Sequence, residues 1–161
     1  MSSDGEIDAN EMIARLIARL RIEREACVGL TQAKLASRLG VAANSLREWE
    51  AAREFPTLLH LICWSYEFGL RLALVDSERQ ERHPAIPEAV EPWADQEVRR
   101  LAATLRAARN QRSVTQLWLS GLLGISEMTV NRWEKGAGRP RPTALVRWAW
   151  ALGLSVTLAP L

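Results

Sequence analysis

The sequence predicts a mainly α fold built from two similar helical units, each followed by a short β-strand. The first observation is an internal repeat: Thr31–Glu50 and Thr115–Glu134 align without a gap at a constant offset of 84 residues (115 − 31 = 84). The second is that apolar residues recur at helical spacing in both copies. The third is that each copy ends in a short alternating stretch, LRLALV and then LSVTLA, which is typical of a strand. A repeat of this length indicates two related domains rather than the units of a solenoid.

The repeat extends well beyond a short motif and divides the chain. Matched positions include Gln32/Gln116, Leu35/Leu119, Gly40/Gly124, Trp49/Trp133, Glu50/Glu134, Pro56/Pro140, Trp64/Trp148 and Gly69/Gly153. The 161 residues therefore predict a first domain at 8–76, a linker at 77–92 and a second domain at 93–161. The linker is polar and contains three prolines, which favours an extended connection.

Each repeated stretch predicts a helix, a tight turn and a second helix. Thr31 in the first copy, and Thr115 or Ser113 in the second, can cap the start of the first helix. Gly40 and Gly124 follow that helix at the position where a left-handed residue is usual. Two short helices joined in this way form a helix-turn-helix, which presents its second helix to the major groove of DNA.

With these residues in place, the sequence resembles the lambda-repressor-like (Cro/cI-type, XRE) family of helix-turn-helix domains. The matching signature is TQ-x-x-LA-x-x-LG-[VI] followed by W-E; the first copy keeps it, and the second has Ser120 in place of the alanine. The resemblance covers about residues 11–76 and 97–160. It implies tandem domains of about four or five helices each. It also implies a sequence-specific DNA-binding transcriptional regulator, most simply a repressor that needs no cofactor.

The two alternating stretches need partners, because an isolated strand is unstable. We expect Leu70–Val75 and Leu154–Ala159 to pair antiparallel with each other about a pseudo-twofold axis. The alternative is that each strand pairs with its equivalent in a second chain, which would make a homodimer.

The resemblance also assigns contacts to double-stranded DNA, residue by residue. Gln32 and Gln116, at the start of the first motif helix, would hold a phosphate, for which a helix N-terminus is suited. Base-reading positions in the second helix of the first copy would be Ala42, Ala43, Asn44, Arg47 and Glu48. In the second copy they would be Ser126, Glu127, Met128, Asn131 and Arg132. Because the two sets differ, two DNA-binding copies would read two unlike half-sites.

Charge favours the second copy as the stronger DNA binder. Residues 1–92 carry 11 basic and 15 acidic residues, hence −4, whereas residues 93–161 carry 10 and 4, hence +6. The loop after the second motif helix would grip phosphate through Lys135, Arg139 and Arg141, but in the first copy only through Arg53, beside Glu54. The first copy can therefore also be interpreted as a domain that has lost DNA binding. The alternative function is accordingly an antitoxin or a protein-interaction module.

Trp118 and Leu122 stand out on the outer face of the first motif helix. Their counterparts in the first copy are Lys34 and Arg38, so two large apolar residues replace two cations. Such a pair favours a contact surface for the first copy, a second chain or a protein partner. Isolated exposed apolar residues are the alternative.

Several function classes are disfavoured by residue types. The two histidines, His60 and His83, are far apart, and no nucleophile motif, phosphate loop or metal-ligand spacing accompanies them. Cys27 and Cys63 are expected as reduced core thiols. No apolar run reaches the roughly 20 residues of a membrane span, and the acidic N-terminus lacks a signal-peptide core. We expect a cytoplasmic, nucleoid-associated protein that is not an enzyme and binds neither metal nor membrane.

Overall fold

The computed structural model describes residues 8–82 (the N-terminal half) and 92–161 (the C-terminal half). The N-terminal half comprises α1 (Ala9–Ala26), α2 (Gln32–Leu39), α3 (Ala43–Glu50), α4 (Leu58–Glu67) and β1 (Leu70–Val75). The C-terminal half comprises α5 (Trp93–Gln111), α6 (Gln116–Leu123), α7 (Glu127–Glu134), α8 (Pro142–Ala151) and β2 (Ser155–Pro160). The predicted mainly α fold, with a strand after each helical unit, is confirmed. Most of the predicted linker lies outside the described residues.

The elements of the two halves follow the repeat closely. α6, α7 and α8 begin and end 84 residues after α2, α3 and α4, as the starts at Gln32 and Gln116 illustrate (116 − 32 = 84). β2 begins at Ser155, one residue later than predicted. The reason is that the N–H of Leu154 donates to the carbonyl of Ala149 at 2.9 Å. Leu154 therefore closes the end of α8 instead of joining the ladder.

Local interactions define the ends of the first motif helix in both halves. Thr31 and Thr115 each accept the backbone N–H three residues further on, at 3.2 and 3.0 Å. Gly40 and Gly124 end the helices with φ of 69° and 68°, a conformation that costs other residues about 1 kcal/mol or more. The capping threonines and the two glycines therefore set the same helix length, eight residues, in both copies.

The turn after the second motif helix keeps its conformation even where the residue type changes. Ala52 has φ of 56° and its equivalent Gly136 (52 + 84 = 136) has φ of 70°. An alanine in this left-handed region is strained by about 1–2 kcal/mol. The repeat thus preserves the backbone path into α4 and α8 at some cost in the N-terminal half.

The two strands form one antiparallel sheet within the chain, so the intramolecular pairing predicted from the sequence is confirmed. Ala73 lies opposite Thr157, with Leu72 opposite Leu158 and Leu74 opposite Val156. The leucine and valine side chains of these pairs are buried. Both halves therefore contribute equally to one small sheet.

The hydrophobic core is shared between the halves. α1 packs against α8, and α4 packs against α5. Trp64 and its equivalent Trp148 are 0% and 1% exposed, and Tyr66 of α4 stacks on Trp93 of α5 with ring centroids 4.4 Å apart. Since a domain of about 65 residues alone buries a smaller fraction of its surface than a domain of about 150 residues, this shared core stabilises both halves.

Arginines from each half also hold the strand of the other half. Arg19 of α1 donates to the carbonyl of Leu158 at 3.3 Å. Arg100 of α5 donates to the carbonyl of Leu72 and pairs with Glu97. Arg100 therefore connects the two halves.

The two cysteines differ in environment. Cys63 on α4 is half-buried, but Cys27 is exposed, and neither forms a disulfide. The expectation of two core thiols is wrong for Cys27, because α1 ends at Ala26 and the chain turns away from the core at Cys27.

Candidate nucleic-acid interface

The α6–α7 pair, which we call head two (residues 116–134), packs as a helix-turn-helix. Leu119, Leu123 and Val130 are buried against the core, and the ring of Trp133 lies 5.6 Å from that of Trp148. The opposite side of α7 faces solvent, with Met128 73% exposed. The core contacts thus fix α7 while leaving one of its faces available.

The outward side chains of head two are mostly free of protein partners. Glu127, Met128 and Arg132 are exposed, whereas Asn131 is half-buried. The Nδ2 of Asn131 donates to Oε1 of Gln116 at 3.3 Å. Asn131 therefore joins the two helices of head two in addition to lying on its outer surface.

The α2–α3 pair, which we call head one (residues 32–50), presents the equivalent surface. Asn44 and Arg47 are exposed and Ala43 is half-buried. Nη1 of Arg47 donates to Oδ1 of Asn44 at 3.2 Å. Two of the predicted base-reading residues in head one are thus bonded to each other in the free protein.

A buried glutamate anchors each head, which the sequence did not indicate. Glu134 accepts Nε and Nη2 of Arg109 at 2.6 and 3.0 Å, and Nε2 of Gln116 at 2.9 Å. Its side chain is 1% exposed and that of Arg109 is 12% exposed. The hydrogen bond with Glu134 is the main cause that raises the pKa of Arg109 above its usual value. The network therefore ties α5, α6 and α7 together through charged, water-excluded hydrogen bonds.

Head one contains the same network. Glu50 accepts Nε and Nη2 of Arg24 at 2.6 and 2.9 Å, and Nε2 of Gln32 at 2.9 Å. Its side chain is also 1% exposed. The sequence signal for these glutamates is the repeated W-E pair at the end of the second motif helix. As part of the family signature, the pair does not by itself indicate a buried ion pair. The arginine partners lie 26 and 25 residues away in sequence.

The glutamate networks bear on the two glutamines predicted to hold phosphate. Gln32 and Gln116 are the first residues of α2 and α6, and each donates one amide hydrogen to its glutamate. A side-chain amide has two such hydrogens, so one remains for another acceptor. The glutamates therefore orient the glutamines, and a phosphate contact through either glutamine stays a prediction.

The loop after head two is basic and only partly neutralised. Lys135, Arg139 and Arg141 are all exposed. Arg139 pairs with Asp95 at 2.7 Å. Among the described residues, no hydrogen bond or ion pair to protein engages the side chains of Lys135, Arg141 or the nearby Arg132. These three cations are consequently free to meet an anion.

The corresponding loop after head one has a different balance of charge. Arg53 donates through Nε and Nη2 to both carboxylate oxygens of Glu48, at 2.8 and 3.0 Å. This fork is the main cause that lowers the pKa of Glu48. Arg53 is thus matched by a carboxylate on the predicted base-reading face, and Glu54 lies next to it in the chain.

The apolar pair predicted as a contact surface is exposed on α6. Trp118 and Leu122 are 48% and 53% exposed, and Leu117 beside them is 64% exposed. The comparison of the two copies does not single out Leu117, because its counterpart Ala33 is apolar rather than charged. Its position one residue before Trp118 was the available signal.

Other kinds of site find little support in the described parts of the chain. Residues 8–82 and 92–161 contain no group of three or more histidine, cysteine or acidic side chains placed to hold a metal ion. Within those same ranges, none of the helices has both the length and the apolar character needed to cross a membrane.

Comparison with known proteins assigns a class to the C-terminal half. Residues 100–161 match the model of a family described as a helix-turn-helix domain. No curated protein and no solved structure matched the chain. Together with the exposed face of α7, the match supports a helix-turn-helix DNA-binding domain in this half.

Proposed function

We propose that the chain is a sequence-specific DNA-binding transcriptional regulator of the lambda-repressor-like (XRE) type, and most simply a repressor that occludes a promoter. The observation that carries the proposal is the helix-turn-helix match over residues 100–161. In the structure, that segment holds the exposed face of α7 beside three cations, Arg132, Lys135 and Arg141, that have no partner within residues 8–82 and 92–161. Occupancy of an operator requires no cofactor, and such a protein would act at the nucleoid in the cytoplasm.

The residues of head two suit distinct parts of DNA recognition. Arg132 can donate two hydrogen bonds to a guanine, and Met128 can contact the methyl group of a thymine. Lys135 and Arg141 suit the phosphate backbone, which fixes position without reading sequence. We assign Gln116, Glu127, Asn131 and Arg139 to the same interface. In the N-terminal half, we assign Gln32, Ala43, Asn44, Arg47 and Arg53 to the corresponding surface.

We propose a domain division at 8–76, 77–92 and 93–161, with both domains of the same helix-turn-helix type. The support is the offset of 84 residues between corresponding motif helices and the duplicated glutamate network. Under this division, head one is a true helix-turn-helix even though the family match covers only residues in the C-terminal half.

Binding of selected DNA by matched variants tests the proposal. Lys135→Ala with Arg141→Ala should weaken binding to all sequences alike. It should also reduce the dependence of the binding constant on salt concentration by an amount that corresponds to about two phosphate contacts. Arg132→Ala should cost about 1–3 kcal/mol on the preferred site and relax the preference at one base pair. The control is Arg15→Ala with Arg21→Ala, on the exposed side of α1, which also removes two positive charges. Equal effects of the control and the loop variant would contradict the assignment.

A second candidate function is an antitoxin or protein-interaction module in which head one has lost DNA binding. It is favoured by the Arg53–Glu48 fork and by the apolar α6 surface of Leu117, Trp118 and Leu122. Trp118→Ser with Leu122→Ser separates the two candidates. A regulator acting by occupancy should keep its DNA affinity and its repression of a reporter. Loss of repression with unchanged DNA affinity would favour a partner or a second copy of the chain at this surface.

A further inference from the structure

The two halves are related by a rotation, which the strand register reveals. Ala73 pairs with Thr157, and these are equivalent positions of the repeat (73 + 84 = 157). On either side, Leu72 pairs with Leu158 and Leu74 with Val156, while the equivalents of Leu72 and Leu74 are Val156 and Leu158. The pairs thus exchange on going from one half to the other. An antiparallel ladder centred on equivalent residues has a local twofold axis through its centre.

The helix contacts between the halves are related by the same twofold axis. α1 packs against α8, and α5 packs against α4. Exchanging each helix for its repeat equivalent, α1 for α5 and α8 for α4, turns the first contact into the second. The rotation therefore relates the complete halves and is not confined to the sheet.

A surface cleft shows which elements meet on the axis. A cleft of about 480 Å³ is lined by Pro56 and Thr57 from one half and by Arg141 and Pro142 from the other. Thr57 and Arg141 are equivalent positions (57 + 84 = 141) at the starts of α4 and α8. The segments that lead out of α3 and α7 therefore face each other across the axis. Because the twofold exchanges α3 and α7, the two predicted reading helices lie at the same height along the axis.

On this basis we infer that one chain binds one bipartite DNA site whose two half-sites are inverted with respect to each other and unlike in sequence. The inference rests on the proposed function. A twofold relation between two DNA-reading heads is mirrored by a twofold relation between half-sites, spaced by about one helical turn of 34 Å. The outward residues differ between the heads. The two half-sites therefore differ in base sequence, although the backbones of the two heads are related by the twofold.

The two half-sites also differ in strength. Arg132 of head two, and Lys135 and Arg141 in the loop after it, have no protein partner in the described chain. Arg53, in the loop after head one, is held by Glu48. Because affinity for the phosphate backbone depends on cations that are free to replace counterions, the half-site bound by head two dominates. Reversing one half-site in place should weaken binding about tenfold or more.

A symmetrised variant tests the inference. Ala42→Ser, Ala43→Glu, Asn44→Met, Arg47→Asn and Glu48→Arg give head one the outward residues of head two. We expect selection from random duplex DNA to yield an inverted repeat for this variant, and native mass spectrometry to show one chain per duplex. A direct repeat, or two chains per duplex, would overturn the inference while leaving the proposed function intact.

Two further measurements keep the test decisive. Circular dichroism establishes that the variant is folded, and if it is not, Arg132→Ala in the otherwise unchanged chain replaces it. That variant should lose sequence preference in one half-site only, again with one chain per duplex. Loss of preference in both half-sites would contradict two separate heads. Absence of any enriched sequence with the unchanged chain would instead overturn the proposed function itself.

Discussion

The buried glutamate of head two offers the sharpest test of how the fold holds its candidate interface. In Glu134→Gln, the amide oxygen can still accept from Nη2 of Arg109 and Nε2 of Gln116 at the position of Oε1, but the NH₂ group at the position of Oε2 then faces the Nε–H of Arg109. The guanidinium then remains in a site where its side chain is only 12% exposed, without a compensating charge. Breaking a buried pair by removing one partner costs about 3–5 kcal/mol. We expect a loss near the lower end, about 3 kcal/mol, because the amide oxygen still accepts the hydrogen bonds made to Oε1.

The assay is equilibrium unfolding in urea, supported by thermal melting. For a chain of this size, a loss of about 3 kcal/mol should lower Tm by roughly 6–12 °C. Glu25→Gln is the matched control, since it breaks the 2.8 Å pair with Arg21, whose side chains are 50% and 51% exposed. That exposed pair should contribute less than about 1 kcal/mol. Equal effects of Glu134→Gln and Glu25→Gln would refute the reasoning.

Three further outcomes follow from the fold. Ala52→Gly should raise the free energy of unfolding by about 0.5 kcal/mol, since relief of left-handed strain exceeds the added entropy of the unfolded chain; a loss of stability in urea unfolding would contradict this. Cys63 should react with iodoacetamide at pH 8 more slowly than Cys27, because burial shields Cys63 and raises its pKa, which leaves less thiolate. A time course followed by mass spectrometry measures the two rates, and the reverse order of reactivity would contradict this prediction. Leu158→Ala should cost about 2–5 kcal/mol and keep a single unfolding transition, whereas two separate transitions by circular dichroism would argue against a shared core.

Much of the fold could be predicted because the same sequence signals occur at equivalent positions in both halves. Thr31 and Thr115 as caps, and Gly40 and Gly124 as helix ends, are local signals that depend only on neighbouring residues. The strand pairing was predictable because a lone strand is unstable and each half supplies one. The second strand was off by one residue at each end, Ser155–Pro160 instead of Leu154–Ala159; it starts later because Leu154 closes α8 instead.

Long-range polar partners could not be predicted in the same way. A glutamate after a tryptophan indicates a polar side chain, but it does not indicate that an arginine 25 residues away forms an ion pair with that glutamate. Arg100 likewise belongs to an arginine-rich helix that could have faced solvent, and its contact with the carbonyl of Leu72 depends on how the halves pack. Burial of Cys27 was wrongly expected for a related reason, because apolar neighbours do not reveal where a helix ends.

The candidate interface lies between these two cases. The positions of Arg132, Lys135 and Arg141 follow from the motif. That they have no partner in the described part of the chain emerges only from the fold. The Arg53–Glu48 fork is likewise invisible to a comparison of motifs, although it decides how much free charge head one offers to phosphate.

Selection from a random pool of duplex DNA at near-physiological salt tests the central claim most directly. A sequence-specific regulator predicts an enriched site, with one half whose preference changes in Arg132→Ala. Binding that is sensitive to salt but enriches no sequence would contradict the claim, because it would show phosphate contact without base reading.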